Sequence, residues 1–80
     1  MGNLKDENDI ILKSLGFHLR LIRQEKQLRQ KTIAKMCEMD SGSYSNIENG
    51  KRNITILTLH KISKVLNVSI SELMSFKIKH

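Results

Sequence analysis

The fold is decided by residues 30–49, which read QKTIAKMCEMDSGSYSNIEN. The first part of this stretch has a helical pattern, and the small Ala34 on its inner face lets a second helix cross closely. A three-residue connection, residues 38–40, leads to a second helical segment whose apolar side chains are Tyr44 and Ile47. Two short helices joined by a connection of this length are typical of a helix-turn-helix.

Helical periodicity continues on both sides of this stretch, interrupted by short polar breaks. Asp40, Thr55 and Ser69 precede helical segments and can cap them, and Ser69 with Glu72 forms a capping-box pattern. Strand-type alternation is nearly absent, so the predicted fold class is all-α with five helices. The first three helices are predicted at Asp9–Lys26, Gln30–Cys37 and Ser41–Asn49, the fourth from Thr55 to Asn67, and a short fifth after Ser69.

Two glycines carry specific structural expectations. Gly16 lies inside the first helix, where glycine costs about 1 kcal/mol relative to alanine, and this indicates close approach by a neighbouring helix. Gly50 follows the third helix directly, and glycine adopts the left-handed conformation at a helix end without penalty. We therefore expect close packing at Gly16 and a helix stop at Gly50.

The length of 80 residues fits one domain. We expect residues 1–8 to form a flexible N-terminal segment and residues 9–80 to form the domain, with a dimerisation segment at its C-terminal end. A single cysteine excludes a disulfide within one copy and favours a reducing compartment. The sequence has no apolar run long enough to span a bilayer and does not begin like a signal peptide. These features predict a cytoplasmic protein that does not associate with membranes.

The net charge is +6, and the excess is concentrated in one block. Residues 13–35 hold seven basic residues and a single acidic one, Glu25. A clustered basic excess in a small domain points to a polyanionic partner, because binding to phosphates releases counterions. A well-solvated surface is the alternative that charge alone leaves open.

Small polar residues occupy the outer face of the third helix when Tyr44 and Ile47 turn inward. A capped helix that carries such groups beside a basic block suits a recognition helix in the major groove of double-stranded DNA. The residues on or near this face are Ser41, Gly42, Ser45, Asn46 and Asn49.

Most of the chain resembles the phage-repressor-like (Cro/XRE) family of helix-turn-helix transcriptional regulators. The resemblance covers residues 15–74 and implies a compact lambda-repressor-like domain in which helices 2 and 3 form the helix-turn-helix. It implies a sequence-specific regulator that binds double-stranded DNA as a homodimer on a partly palindromic operator. Residues 51–55 and the short length also resemble the controller proteins of restriction–modification systems. The segments that carry the resemblance are Leu19–Gln30 (LRLIRQEKQLRQ), Ile33–Ala34, Ile47–Asn53 (IENGKRN) and Leu59–Ser69 (LHKISKVLNVS).

The resemblance also implies roles for individual residues. An ion pair between Arg23 and Glu48 would tie the first helix to the end of the third. Base contacts are implied for Ser41, Gly42, Asn46 and Arg52, and contacts with the sugar-phosphate backbone for Gln30, Ser43, Asn49 and Lys51. Ser45, which lies near the same outer face, is added to the backbone contacts.

Some residues depart from the family pattern. Arg29 stands where a capping residue commonly begins the second helix, and arginine caps poorly. Gln27 and Glu38 stand where glycine is common, so both turns are expected to carry strain. Gly42 has no side chain to bond to a base edge, so specificity rests on its neighbours and on DNA shape, or Gly42 admits close backbone approach.

Several residues have two interpretations. Tyr44 is predicted to lie in the core rather than to stack on a base, and Cys37 is interpreted as a buried apolar thiol rather than a redox switch. Arg20 and Lys26 could contact phosphate or simply be solvated. A dimer interface is favoured over completion of the monomer core for Leu73, Met74, Phe76 and Ile78. A metal site is not predicted, because His18, His60 and His80 lack zinc-site spacing.

Other function classes fit the sequence less well. An enzyme is not predicted, because the chain has no nucleophile-plus-base arrangement and no phosphate-cradling loop. The sequence implies no cofactor and no small-molecule ligand. An antitoxin-type module that binds a partner protein and autoregulates through its helix-turn-helix is the alternative. A basic amphipathic helix that binds membranes or acidic peptides is a further one.

Overall fold

A computed structural model of the chain describes residues 3–78 and contains five helices and no strand within that range. The predicted all-α class is therefore confirmed. Residues 1, 2, 79 and 80, which the sequence assigned to the N-terminal segment and to the end of the domain, lie outside the described residues. The helices are α1 (Leu4–Glu25), α2 (Gln30–Met36), α3 (Ser41–Glu48), α4 (Ile56–Leu66) and α5 (Ile70–Leu73).

The start of α1 differs from the prediction. The helix begins at Leu4 rather than at Asp9, because Asn3 caps it: the Asn3 side chain accepts a hydrogen bond from the backbone N–H of Asp6 at 2.9 Å. Asp6 and Glu7 in the first turn add a favourable interaction with the helix dipole. The predicted start is wrong because it followed the apolar stripe and overlooked a polar first turn. Residues 4–8, expected to be a flexible segment, are thus helical.

The remaining helix ends agree with the predicted caps. Asp40, Thr55 and Ser69 each accept a backbone N–H bond from the residue three positions later, at 2.7, 3.1 and 2.9 Å. Arg29 precedes α2 and forms no side-chain cap bond, as expected of arginine. The predicted last residues of α2 and α3, Cys37 and Asn49, are the C-caps of those helices.

Four helices, α1 to α4, end in the same type of turn with a left-handed residue, which after α4 is Asn67 with a φ of 57°. After α3, the N–H of Gly50 donates to Ile47 and that of Lys51 donates to Asn46, at 3.1 and 2.9 Å. This pair of backbone hydrogen bonds is the Schellman motif. Gln27 and Glu38 occupy the matching positions after α1 and α2, each with a φ of 58°, whereas Gly50 has a φ of 69°. Gln27 and Glu38, which were expected to strain their turns, thus stand in the left-handed region, which is unfavourable for a residue with a side chain.

The core lies where all five helices meet. Leu19, Ile33, Tyr44 and Ile62 are completely buried, and Ala34 and Cys37 are nearly so. The predictions that Tyr44 and Cys37 belong to the core are confirmed. Leu73 is also completely buried within the monomer, so its assignment to a dimer interface is wrong: α5 turns this side chain into the core, where a second copy cannot reach it.

Gly16 is a point of close approach between α1 and α3. A Cβ atom built on Gly16 would overlap the backbone carbonyl oxygen of Glu48 and lie 2.6 Å from that of Ile47. These are backbone atoms, which cannot move aside as the end of a flexible side chain can. The close approach expected at Gly16 is confirmed, and it brings the end of α3 directly against α1.

We expect Gly16→Ala to lower the free energy of unfolding by about 1–3 kcal/mol, because the added methyl group must push α1 and α3 apart. Gly42→Ala is the matched control: a Cβ there would meet only the Asp40 side-chain oxygen, at 3.3 Å. It should change stability by less than about 0.5 kcal/mol. Urea denaturation followed by circular dichroism measures both, and equal effects of the two substitutions would contradict this account of Gly16.

We expect Glu38→Gly to raise the free energy of unfolding by about 0.5–1 kcal/mol. Glycine removes the penalty of about 1–2 kcal/mol that a side chain incurs in the left-handed region, and its greater freedom in the unfolded chain offsets part of the gain. Glu38→Ala retains a Cβ and should bring no such gain. The same denaturation experiment tests the pair, and a stability gain in the alanine variant equal to that in the glycine variant would refute the strain at this turn.

Candidate nucleic-acid interface

The outer face of α3 is polar and accessible. Ser41, Gly42, Asn46 and Asn49 are exposed, whereas Tyr44 and Ile47 on the opposite face are buried. The Asp40 cap holds the start of this face, since its carboxylate accepts bonds from the backbone N–H and the hydroxyl of Ser43 at 2.7 and 3.0 Å. These two bonds lower the pKa of Asp40. The helix therefore presents short polar groups on a fixed backbone.

A buried carboxylate fixes the other end of α3. The Glu48 side chain has no solvent exposure, and its oxygens accept bonds from Arg23 of α1 at 2.6 and 3.1 Å. Gln30, the first residue of α2, donates to the same carboxylate at 2.8 Å. Arg23 also donates to the backbone oxygen of Leu28 at 2.8 Å, which ties down the turn between α1 and α2. One side chain thus joins the first three helices.

The electrostatics of this cluster favour an ionised Glu48. Burial alone would raise the pKa of its carboxyl, but interactions with Arg23, Tyr44 and Gln30 outweigh burial and hold the pKa below its ordinary value. The hydrogen bond with Glu48 raises the pKa of Arg23 in turn. The pair is therefore charged throughout the neutral pH range.

Tyr44, which is completely buried in the core, interacts with the same carboxylate. Burial, and then the nearby negative charge of Glu48, raise the pKa of the Tyr44 phenol far above its ordinary value, so the hydroxyl keeps its proton. This hydroxyl is the one buried side-chain polar atom of residues 3–78 without a well-formed hydrogen bond. Its buried position excludes stacking on a base.

Arg20 extends the cluster to the protein surface. Its guanidinium donates to Glu48 at 3.4 Å and to the side-chain oxygen of Asn49 at 2.8 Å. The amide nitrogen of Asn49 in turn donates to the hydroxyl of Ser45 at 3.5 Å. Sequence reasoning named Arg20 only as a residue that could contact phosphate. The contact joins residues 29 positions apart in the chain, so no local pattern could have indicated it.

The basic residues after α3 lie beside this surface. Lys51 and Arg52 are exposed, immediately after the Gly50 turn. A Cβ atom on Gly50 would lie 2.6 Å from the backbone and side chain of Lys13, so α1 packs directly against this turn. The structure therefore brings exposed basic side chains next to the C-terminal end of α3.

Gln30 lies at the start of α2 and supports the end of α3. It is half-buried, and its amide nitrogen donates to the Glu48 carboxylate at 2.8 Å. Because this hydrogen bond joins the first residue of α2 to the last residue of α3, Gln30 helps to hold α3 in place.

The C-terminal residues proposed for dimerisation differ in accessibility. Met74 and Ile78 have 48% and 47% of their surface exposed, whereas Phe76 is partly buried and packs against the core. The Phe76 ring lies 6.1 Å from the ring of His18, which itself pairs with the backbone oxygen of Glu72 at 3.0 Å.

The potential metal ligands and the cysteine of residues 3–78 bear on metal and redox chemistry. No group of three or more potential metal ligands occurs within residues 3–78. Cys37 is buried, and burial raises the pKa of its thiol, which disfavours the reactive thiolate.

None of the helices within residues 3–78 is long and apolar enough to cross a membrane.

A helix-turn-helix family model matches residues 19–73, from the second half of α1 to the end of α5. The chain belongs to the Cro/XRE-type helix-turn-helix family. It is a DNA-binding regulator of transcription.

Curated relatives and solved structures agree with this family. The chain is 44% identical over 69 residues to control protein C.MunI of Mycoplasma sp, covering 85% of this chain and 92% of that protein. It is 36% identical over 62 residues to control protein C.BamHI of Bacillus amyloliquefaciens, covering 76% of each. The crystal structure of the restriction-modification controller protein C.AhdI from Aeromonas hydrophila is similar, with a TM-score of 0.75 and 31% identity over 78% of this chain and 90% of that one.

We expect the free energy of unfolding to fall as the pH drops below the ordinary carboxyl pKa of 4.5. The folded state holds the pKa of Glu48 lower than the unfolded chain does, so its stabilisation is complete above that range and is lost as protonation proceeds. Arg23→Met removes the main partner, leaves burial to raise the pKa, and should weaken or reverse this slope.

Denaturation at a series of pH values measures the slope. Glu48→Gln is the control that removes the titrating group, and Asp40→Asn keeps an N-cap while removing the only other carboxyl in residues 3–78 whose pKa is clearly shifted. An acid slope that is the same in Glu48→Gln as in the unmodified protein would exclude Glu48 as its source.

Proposed function

We propose that the protein acts as a homodimer that binds a partly palindromic operator and regulates transcription of a restriction–modification system. The regulator class follows from the family, and the narrower assignment is supported by the relatives, two control proteins and a restriction-modification controller protein. In a dimer, two α3 helices would enter successive major grooves about 34 Å apart.

One observation carries the proposal: α3 has an exposed polar face and is fixed at both ends. Asp40 caps its start and Glu48 anchors its end to α1 and α2. A helix held in this way positions its side chains without further ordering on binding, which favours affinity. The family role of base contacts is proposed for Ser41, Gly42, Asn46 and Arg52, of which Asn46 is the best suited to bond bidentately to adenine.

Contacts with the DNA backbone are proposed for residues at both ends of α3. The exposed Asn49 and Lys51 and the half-buried Ser43 and Ser45 flank the exposed face, and Gln30 lies beside Glu48 at the start of α2. Contacts of this kind position the protein on the duplex, whereas the base contacts discriminate between sequences. Several phosphate contacts would also make the affinity fall steeply with salt.

Dimerisation is proposed to use the accessible part of the C-terminal segment. Met74 and Ile78 offer exposed apolar surface there, and Phe76 lies between them in the chain. Leu73 supports this segment from inside the core and takes no part in the interface.

Selection of bound fragments from random duplex DNA, followed by titration of the selected duplex, tests the proposal. We expect enrichment of a partly palindromic sequence and a stoichiometry of two chains per duplex. An antitoxin-type function would instead appear as a partner protein that co-purifies and is needed for binding. Failure to enrich any sequence would overturn the proposal.

Asn46→Ala should relax sequence preference, costing about 1–3 kcal/mol on the selected operator and much less on a random duplex. Lys51→Ala should weaken binding to both duplexes alike and reduce the slope of log affinity against log salt by about 1. Fluorescence anisotropy on the two duplexes measures these effects. Equal losses on both for Asn46→Ala would remove its proposed role in contacting a base.

A further inference from the structure

We propose that Arg20 is a further residue of the DNA interface and acts as a unit with Asn49. Its guanidinium holds the Asn49 amide with the oxygen turned inward, so that the amide nitrogen faces a DNA phosphate, and it contributes the positive charge for the same phosphate. This inference rests on the proposed function, because it concerns how the same surface holds the DNA backbone.

The orientation of the Asn49 amide follows from hydrogen-bond chemistry. A guanidinium has only donors, so the atom that it meets at 2.8 Å must be the amide oxygen of Asn49. The amide nitrogen then points away from Arg20, and its bond to the Ser45 hydroxyl is long, at 3.5 Å. This nitrogen has two hydrogens, and at most one is engaged by Ser45. An exposed N–H donor therefore remains at the end of α3.

The charge balance of the cluster leaves an excess at this position. Arg20 and Arg23 share the single carboxylate of Glu48, so the three side chains together carry one net positive charge. Arg23 bonds to that carboxylate through two nitrogens and is largely buried. Arg20 meets it through one nitrogen at 3.4 Å, and 38% of its side chain is exposed. The uncompensated charge thus lies on Arg20, beside the free N–H of Asn49.

Arg20 also has donors to spare. Its Nε faces Glu48 and its Nη2 faces Asn49, while no partner within residues 3–78 engages Nη1. A phosphate placed against the end of α3 would accept from Asn49 and from Arg20 together, and a charge-assisted bond of this type is about twice as strong as a neutral one. Arg20 is therefore both a positioning residue for Asn49 and a direct phosphate contact.

A double-mutant cycle on operator binding tests the unit. We expect Asn49→Ala to weaken operator binding about tenfold in the unmodified protein. In the Arg20→Ala background the same change should cost less than about threefold, because the amide is no longer held in place. Fluorescence anisotropy with the selected operator gives the dissociation constants. If Arg20→Ala is unfolded at the assay temperature, Arg20→Gln replaces it in the same cycle.

The salt dependence separates this role from a purely structural one. Loss of a phosphate contact should reduce the slope of log affinity against log salt by about 1 in Arg20→Ala, and Arg20→Lys should restore the slope because it retains the charge. A residue that only stabilised the fold would lower the free energy of unfolding and leave the slope unchanged. Lys5→Ala, which removes one charge near the far end of α1, is the control and should leave the slope and the cycle unaffected.

Additive losses in the cycle, together with an unchanged salt slope in Arg20→Ala, would overturn the inference. That outcome requires that the unmodified protein binds its operator, so it leaves the proposed function standing. An unmodified protein that binds no selected duplex would instead refute the proposed function itself.

Discussion

The Glu48 carboxylate is the point at which α1, α2 and α3 are held together, and the exposed face of α3 depends on it. A charge without solvent contact is costly unless other groups compensate it, and here Arg23 and Gln30 bond to it directly. Removing Arg23 would leave this buried charge without its main partner, and the small core of an 80-residue chain has little stability to spare. The ion pair therefore fixes the end of α3 against α1 and α2.

The same arrangement separates the requirements of folding from those of binding. Tyr44 and Ile47 fill the core on one side of α3, and Ser41 and Asn46 are exposed on the other. Residues that contact only solvent can change with small effects on stability. Glu48 and Asn49 are neighbours in the chain, yet one is buried beneath the helix and the other lies exposed at its end.

The sequence predicted the parts of this fold that depend on local rules. Asp40, Thr55 and Ser69 were recognised as caps because short polar side chains directly before a helix can accept a hydrogen bond from its free N–H groups. Gly16 marked a close helix contact because glycine is otherwise unfavourable inside a helix. The start of α1 was missed because its first turn is polar, and apolar periodicity does not register such a turn.

Tertiary contacts account for the rest of what sequence reasoning could not supply. The Arg20–Asn49 bond joins distant residues with no shared pattern, and the family resemblance does not imply it. Leu73 was assigned to an interface because the sequence left no other segment for one, and completion of the monomer core was the alternative. Only the path of the chain, which turns α5 back onto α1 and α4, decides between them.

Gly42 gives the exposed face of α3 one position that has no side chain and no steric reason to lack one. Only the tip of the Asp40 side chain would crowd a Cβ there, and the backbone of α3 is already fixed by its caps. Under the role in base contacts proposed for Gly42, a new side chain at position 42 would therefore alter which DNA sequences are bound while the fold stays the same. Two regulators that differ at position 42 could in this way share one fold and bind different operators in the same cell.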